Sequence, residues 1–220
     1  MKKVVLFGHG AVARMAHFLL TNDSQHDIVA STVDRASMRE DRMFGLPTVA
    51  FEDAPSRYPP SEFAMFIAVG YSRINGVRER KYLQAKELGY ELISYVSTKA
   101  TTWPDLAIGD NCFIMEDVII QPFVKIGSDV ILWSGCHIGH ESVIGDHCFV
   151  SSHAVVSGLV TVDASCFLGS NSTIRDGIRL ARQSVVGAGA VVMNSTQERG
   201  VYVAPRAHLL PITSDRLPNL

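Results

Sequence analysis

Residues 126–150 read IGSDVILWSGCHIGHESVIGDHCFV, and an aliphatic residue recurs in this stretch at every sixth position. The same spacing continues in both directions without a break. Fifteen successive positions of the series are all Ile, Leu or Val: Ile108, Ile114, Ile120, Ile126, Leu132, Ile138, Ile144, Val150, Val156, Val162, Leu168, Ile174, Leu180, Val186 and Val192. A period of six is therefore the strongest regularity in the chain.

A second column lies four residues after the first and holds small or β-branched side chains. Its members are Cys112, Val118, Val124, Val130, Cys136, Ser142, Cys148, Ala154, Val160, Cys166, Ser172, Ile178, Ser184, Ala190 and Thr196. A helix of 3.6 residues per turn cannot keep a period of six on one face, and a simple strand has a period of two. Repeated units of one strand and one turn do keep it, and three such units make one triangular coil. We therefore predict a parallel β-helix of about five coils over residues 108–197, with coils about 4.8 Å apart.

The composition of the chain argues against a nucleic-acid or membrane partner and against a metal cluster or disulfides. The 220 residues include 20 Lys and Arg against 22 Asp and Glu, so bulk charge favours neither nucleic acid nor a membrane surface. The first apolar run ends at Gly8, too short for a signal peptide or a membrane span, and we expect a cytoplasmic protein without membrane insertion. All four cysteines fall in the small-residue column and no CxxC occurs, which predicts reduced core side chains rather than a metal cluster or disulfides.

Residues 1–95 follow a different pattern, in which apolar strands alternate with helical segments. Strands are predicted at 4–8, 28–34, 63–69 and 91–96, with a shorter one at 47–51, and helices at 11–20 and 72–88. Such alternation predicts a parallel sheet with helices on its faces, here a small Rossmann-like domain. We assign 96–107 to a linker, 108–197 to the β-helix and 198–220 to a C-terminal tail. The fold class is thus α/β followed by all-β.

The first turn of this domain is a candidate nucleotide site. The tripeptide Gly8-His9-Gly10 joins the first strand to the first helix, and Asp34 ends the second strand. Backbone N–H groups at a helix start can hold a pyrophosphate, and an acid at the end of the second strand can reach a ribose hydroxyl. The tripeptide is not GxGxxG, so a tight turn without a ligand is the alternative interpretation.

Four of the eight histidines lie close together in the β-helix, namely His137, His140, His147 and His153. A histidine in such a repeat is most often a solvent-facing turn residue. His140 is the strongest candidate for a catalytic residue because it follows a core aliphatic by two positions and therefore points outward. The residue one coil further on is Gly158, and its missing side chain is expected to leave the space above His140 open and the N–H of Gly158 within reach.

The motif GHESVIG at 139–145, together with the two-part organisation, resembles the hexapeptide-repeat sugar acetyltransferases of the NeuD/PglD type over nearly the whole chain. The resemblance implies a left-handed β-helix, a homotrimer, and acetyl-CoA as cosubstrate in the groove between neighbouring β-helices. It further implies that His140 is the general base with Glu141 beside it, and that the N–H of Gly158 binds the acetyl carbonyl.

The resemblance also implies two sets of binding residues and no metal. The residues implied to contact acetyl-CoA, besides Gly158, are Ser170, Ala188 and Arg206. The residues implied to bind a nucleotide-linked sugar are Gly8, His9, Gly10, Asp34, Arg35 and Gly70.

The predicted reaction is N-acetylation of a nucleotide-linked (UDP, GDP or dTDP) amino sugar for surface glycan synthesis, such as lipopolysaccharide O-antigen or capsule. An imidazole with a pKa near 6.5 can take the proton at neutral pH, and a fixed N–H can stabilise the oxyanion.

Three alternative functions stay open. They are O-acetylation of a sugar such as sialic acid, a β-helix that only binds or scaffolds, and a γ-type carbonic anhydrase. The last needs a His-x4-His pair that this chain lacks.

Overall fold

The computed structural model of the protein describes residues 1–216. It shows the predicted left-handed parallel β-helix, built of two-residue strands that recur at every sixth position. Each strand pairs in parallel with the equivalent strand of the next coil, so that Lys125 lies opposite Val143 and Val143 lies opposite Thr161. The sequence period and the hydrogen-bond ladder therefore have the same register.

Three parallel sheets form the faces of the β-helix. The docked face contains Tyr95–Val96, Phe113–Ile114, Ile131–Leu132, Phe149–Val150, Phe167–Leu168, Val185–Val186 and Val201–Tyr202. The apolar face contains Ile119–Ile120, His137–Ile138, Val155–Val156, Thr173–Ile174 and Val191–Val192. The polar face contains Ala107–Ile108, Lys125–Ile126, Val143–Ile144, Thr161–Val162 and Arg179–Leu180.

Both sequence columns fill the core. Every member of the first column is buried except the half-buried Ile108, and every member of the second is buried except the half-buried Thr196. The four cysteines are buried and free, as predicted. Burial raises the pKa of the Cys112 and Cys136 thiols to about 12, which keeps them protonated and unreactive at neutral pH.

A third column, three residues after each core aliphatic from Ile108 to Val186, has a positive φ. Its members are Asn111, Asp117, Phe123, Asp129, Gly135, Glu141, His147, His153, Leu159, Ser165, Asn171, Gly177, Gln183 and Gly189. One left-handed residue per turn bends the chain from one face to the next. These turns stack into three corners, each repeated once per coil: the docking corner (109–112 and its equivalents in later coils), the serine corner (115–118 onward) and the His140 corner (121–124 onward).

The amino-terminal unit is a five-stranded sheet with helices on both sides. Its elements are β1 (Lys3–Phe7), α1 (Ala11–Asn22), β2 (Asp27–Val33), β3 (Arg42–Met43), β4 (Leu46–Ala50), α2 (Ala54–Arg57), β5 (Ala64–Ile67) and α3 (Gly76–Glu87). The strand order is β3-β4-β2-β1-β5, parallel except for the β3–β4 pair. The carboxyl ends of β1, β2 and β5 therefore meet at one edge of the sheet, where a ligand site is expected.

Helix α3 begins at Gly76, four residues after the predicted start, and buries a different face from the one expected. The residues it buries are Arg78, Lys81, Tyr82 and Ala85. Two apolar residues on which the prediction relied, Leu83 and Leu88, are 48% and 38% exposed. The predicted C-cap is present, because Gly89 has φ +86° and the N–H groups of Gly89 and Tyr90 donate back to Lys86 and Ala85.

The structure differs from the sequence prediction at both ends of the β-helix. In the predicted strand 91–96, Leu92 bridges in parallel to Met65 of β5, and only Tyr95–Val96 forms a strand, which pairs with Phe113–Ile114 of the docked face. Within segment 96–107, Thr101 bridges to Ile119. At the other end, Val201–Tyr202 extends the docked face and residues 203–216 are largely exposed. The last four residues of the tail assigned to 198–220 lie outside the described residues.

The docked face and the amino-terminal unit share one apolar cluster. Outward-facing rings of the docked face pack against the sheet and α1, with the Phe66 and Phe113 rings 5.6 Å apart between centroids. The outward residues of this face are consequently aromatic or aliphatic, whereas a solvent-facing strand position is normally polar. In residues 1–216 no helix is long and apolar enough to cross a bilayer.

Candidate functional site

His140 stands on a turn between the apolar and polar faces, held by its backbone. Its N–H donates to Oε1 of Gln121 at 2.8 Å, and its carbonyl accepts from the N–H of Leu159 at 2.8 Å. The imidazole is 53% exposed and its Nδ1 lies 3.6 Å from Oε1 of Glu141, whose side chain is 56% exposed. This distance is beyond a hydrogen bond, so the carboxylate is a neighbouring negative charge that is free to approach the ring.

The structure corrects the expectation that the space above His140 is open. The imidazole lies directly over Gly158, and a Cβ at that position would come within 2.5 Å of Nε2. The missing side chain therefore makes room for the ring itself. Within residues 1–216 the N–H of Gly158 has no acceptor, while its carbonyl accepts from Gly177 at 3.0 Å. A base and a hydrogen-bond donor thus stand side by side at an accessible corner.

Exposed apolar side chains surround this pair. Phe123 and Leu159, one coil before and one coil after Glu141, are 70% and 54% exposed. Ile119 and Val155 on the adjacent apolar face are 42% and 36% exposed. Apolar surface of this kind is typical of a surface that another molecule covers.

The residues implied to bind acetyl-CoA lie apart from His140 in one chain. Ser170 and Ala188 stand on the serine corner, at the opposite edge of the apolar face. Ser170 is half-buried and Ala188 is exposed, and Arg206 is exposed in the segment that follows the last strand. Of the residues implied to bind acetyl-CoA, only Gly158 lies beside His140 in the same chain.

The predicted nucleotide residues, by contrast, come together. A cleft of about 370 Å³ at the carboxyl ends of β1, β2 and β5 is lined by five of the six: Gly8, His9, Gly10, Asp34 and Gly70. Gly8 has φ +127°, and a Cβ there would lie 2.6 Å from the carbonyl oxygen of Ala68, so only glycine fits the strand-to-helix turn. Gly10 is the N-cap of α1 and provides no side-chain cap, and the first two helical residues, Ala11 and Val12, also line the cleft.

Arg35 is the exception, and Lys81 is the residue that sequence reasoning missed. Arg35 turns away from the cleft, with Nη2 2.5 Å from Oδ1 of Asp53. Lys81 lines the cleft and forms an ion pair with Asp34, and its Nζ lies 4.8 Å from the centre of the Phe51 ring. A lysine in an amphipathic helix is normally solvent-exposed, so its burial had no sequence signal.

The two candidate centres lie on opposite sides of the β-helix. The amino-terminal unit covers the docked face, and in a triangular coil the His140 corner is the one opposite that face. The other central histidines are also separated, since His147 stands on the docking corner and His153 on the serine corner. In residues 1–216 no group of three His, Cys, Asp or Glu side chains converges as a metal site would require.

Comparisons with known proteins agree with this architecture. Residues 107–140 and 123–158 match the bacterial transferase hexapeptide family, and residues 160–194 match the hexapeptide repeat of succinyl-transferase. The acetyltransferase domain of PglB from Neisseria gonorrhoeae is similar at 19% identity, with 93% of this chain and 97% of that chain covered and a TM-score of 0.83.

Two further structures are similar over almost their whole length. PerB from Caulobacter crescentus, solved in complex with CoA and GDP-perosamine, has 22% identity, 93% and 95% coverage and a TM-score of 0.80. WeeI from Acinetobacter baumannii has 20% identity, 96% and 100% coverage and a TM-score of 0.80. The β-helix of this chain thus matches hexapeptide-repeat models over residues 107–158 and 160–194, and the chain as a whole has the two-part fold of these three structures.

Proposed function

We propose that the protein transfers an acetyl group from acetyl-CoA to an amino group of a nucleotide-linked amino sugar. The observation that carries the proposal is the His140 imidazole lying over Gly158, whose N–H has no acceptor in residues 1–216. The cleft at Gly8, Gly10 and Asp34 supports a nucleotide on the same substrate. PerB, which shares the fold, was solved with CoA and GDP-perosamine, a pair of ligands of these two chemical classes.

The chemistry needs one base and one oxyanion donor. The sugar amine attacks the thioester carbonyl carbon while a nitrogen of His140 accepts the proton that the amine loses. The carbonyl oxygen becomes an oxyanion, which the N–H of Gly158 stabilises. Collapse of the tetrahedral intermediate breaks the carbon–sulfur bond, and the CoA thiolate leaves and recovers the proton from the imidazolium. Glu141 stabilises the imidazolium by its negative charge.

A trimer is part of the proposal because one chain separates the two centres. A neighbouring β-helix packed against the apolar face would form a groove at the His140 corner and bring a second amino-terminal unit toward it. Ser170, Ala188 and Arg206 would then contact acetyl-CoA across that groove from the neighbouring chain. Acetyl-CoA and nucleotide sugars are cytoplasmic metabolites, so we place the reaction in the cytoplasm, as a step in surface glycan synthesis such as O-antigen or capsule.

The test is turnover of acetyl-CoA with a panel of UDP-, GDP- and dTDP-linked amino sugars. Turnover is measured as release of the CoA thiol. We expect His140→Ala to lower kcat by about 10²- to 10⁴-fold, the usual contribution of a positioned base. The control is His153→Ala, because His153 is also exposed and its ring also lies over a glycine, Gly135, but on another corner. Wild-type turnover in a folded His140→Ala protein would contradict the mechanism.

The same panel distinguishes the remaining interpretations. Sialic acid as an acceptor tests O-acetylation, since the same base and donor can serve a hydroxyl. Binding of nucleotide sugars without thiol release from acetyl-CoA would favour a β-helix that only binds or scaffolds.

A further inference from the structure

Arg78 is the largest side chain among those that are fully buried, and it lies between α3 and the docking corner. Its Nη2 donates to the carbonyl oxygens of His147 and Cys148 at 2.7 and 3.2 Å, and its Nε donates to the carbonyl of Asp129 at 3.2 Å. The same Nε lies 3.2 Å from Oδ2 of Asp129, whose side chain is also completely buried. The guanidinium thus forms hydrogen bonds with two consecutive coils of the β-helix.

The other side of the guanidinium reaches the nucleotide cleft. Its Nη1 donates to the carbonyl of Gly70 at 3.1 Å and to Oδ1 of Asn75 at 3.2 Å. Gly70 lines the cleft, and Lys81, one helical turn after Arg78, forms the ion pair with Asp34 there. One planar group therefore joins the wall of the cleft to the β-helix.

The segment between Gly70 and α3 is strained. Three consecutive residues without a glycine, Arg73, Ile74 and Asn75, have φ values of 55°, 52° and 65°. A β-branched residue such as Ile74 rarely adopts this conformation, and such strain persists only where surrounding contacts impose it. Two contacts hold Asn75 in this conformation. Its Nδ2 donates to the carbonyl of Cys166 on the docking corner at 3.0 Å, and its Oδ1 accepts from Nη1 of Arg78.

We propose that Arg78 is a positioning residue for the nucleotide cleft: it holds Gly70, the strained segment 73–75 and α3 in the conformation that binds nucleotide, using the β-helix as its support. The inference rests on the proposed function in taking the cleft as a nucleotide site. It adds that the affinity of the cleft depends on contacts with the β-helix that touch no ligand. Groups that orient the ligands of a metal site typically change affinity by about 10- to 100-fold when removed, and we expect an effect of this order here.

The test variant removes both buried charges together. Arg78→Met alone would leave the buried Asp129 carboxylate with only its contacts to His147 and Asn111. Loss of one partner of a buried ion pair destabilises a fold strongly, whereas removal of both charges is often close to neutral. We therefore combine Arg78→Met with Asp129→Asn. The matched control is Arg80→Met, the same substitution two residues along α3 at an exposed position.

A second variant retains the charge. Arg78→Lys keeps a cation beside Asp129, but a single ammonium cannot reach the β-helix carbonyls and Gly70 at once, because it lacks the planar fork of the guanidinium. It is expected to shift nucleotide affinity in the same direction as the double variant, and it provides the measurement if the double variant does not fold.

The readouts are calorimetric Kd values for UDP, GDP and dTDP, the Kd for acetyl-CoA, and amide hydrogen exchange over residues 70–77. We expect the best nucleoside diphosphate to bind about tenfold more weakly, exchange over 70–77 to accelerate, and acetyl-CoA affinity to stay unchanged because His140 lies across the β-helix. Arg80→Met should match the wild type in all three.

Two results would overturn the inference while leaving the proposed function intact. One is an unchanged nucleotide Kd in a folded variant. The other is a parallel loss of nucleotide and acetyl-CoA affinity, which indicates general loosening. If the wild type binds none of the three diphosphates, the nucleotide site itself is wrong, and the proposed function and this inference fall together.

Discussion

At the scale of single residues, Gly158 decides where the imidazole of His140 can stand. The sequence showed that the two positions are one coil apart, and this was sufficient to pair them. It could not show which group occupies the space between them, because that depends on a side-chain rotamer. The structure places the ring of His140 in the volume that any side chain at 158 would need.

Gly158→Ala is therefore expected to fold normally and to lose activity. No strained φ is present at this position, and the atoms nearest to the added methyl group belong to the exposed imidazole, which can rotate away. If His140 is the base, as proposed, displacing its ring by about 1 Å is expected to lower kcat by about 10²-fold. The comparison variant is Gly139→Ala, whose Cβ would lie 2.5 Å from backbone atoms of Ser157 and Gly158 and should reduce the folded yield instead. Unchanged kcat in Gly158→Ala would show that the position of the ring does not matter.

At the scale of elements, the β-helix could be predicted almost completely from the sequence and α3 only in part. A strict period of six has few structural solutions, so the core columns followed directly from the letters. Helix α3 buries Arg78 and Lys81 while Leu83 is exposed, which reverses the usual rule for an amphipathic helix. No local pattern reveals this, because three of the acceptors of Arg78 are backbone carbonyls far along the chain, at Asp129, His147 and Cys148.

The end of α1 gives a prediction about pH. Asp23 follows the last residue of α1, where a negative charge is unfavourable, yet it accepts hydrogen bonds from the hydroxyls of Thr98 and Tyr95 and from the N–H of Thr98. The Thr98 hydroxyl first, and then that of Tyr95, lower the pKa of the Asp23 carboxyl to about 2. These contacts tie α1 to the first strand of the docked face.

Asp23→Asn is expected to lower the urea midpoint at neutral pH. Because the pKa in the folded state lies below the unfolded value of 3.8, the carboxylate stabilises the fold fully above that value. The contribution is lost as pH falls from about 4 toward 2. The difference in midpoint between wild type and variant should therefore be constant from neutral pH to about pH 5 and shrink below about pH 4. A difference that does not depend on pH would contradict the role of the charge.

At the scale of the whole molecule, the proposed trimer would bury the apolar face of each β-helix. Three copies of a 24.0 kDa chain should give a particle of about 72 kDa by light scattering. Val155→Asp, on this face, is expected to yield monomers that lose turnover but still bind nucleoside diphosphate, since the cleft lies on the opposite side. The control is Thr161→Asp, at an exposed outward position of the polar face. A fully active monomer of the wild type would remove the argument for a shared site.

Pairing between strands one full coil apart also restricts how such a chain can change its length. Loss of one residue within a strand between 108 and 192 would take the neighbouring aliphatic side chain out of the core column, whereas loss of a whole coil, such as 162–179, would bring equivalent strands back into contact. Insertions and deletions in the lineage of this protein should therefore come in whole coils. Because His140 and the contacts of Arg78 share the same few coils, coils added or lost after them leave the spacing between the two centres unchanged.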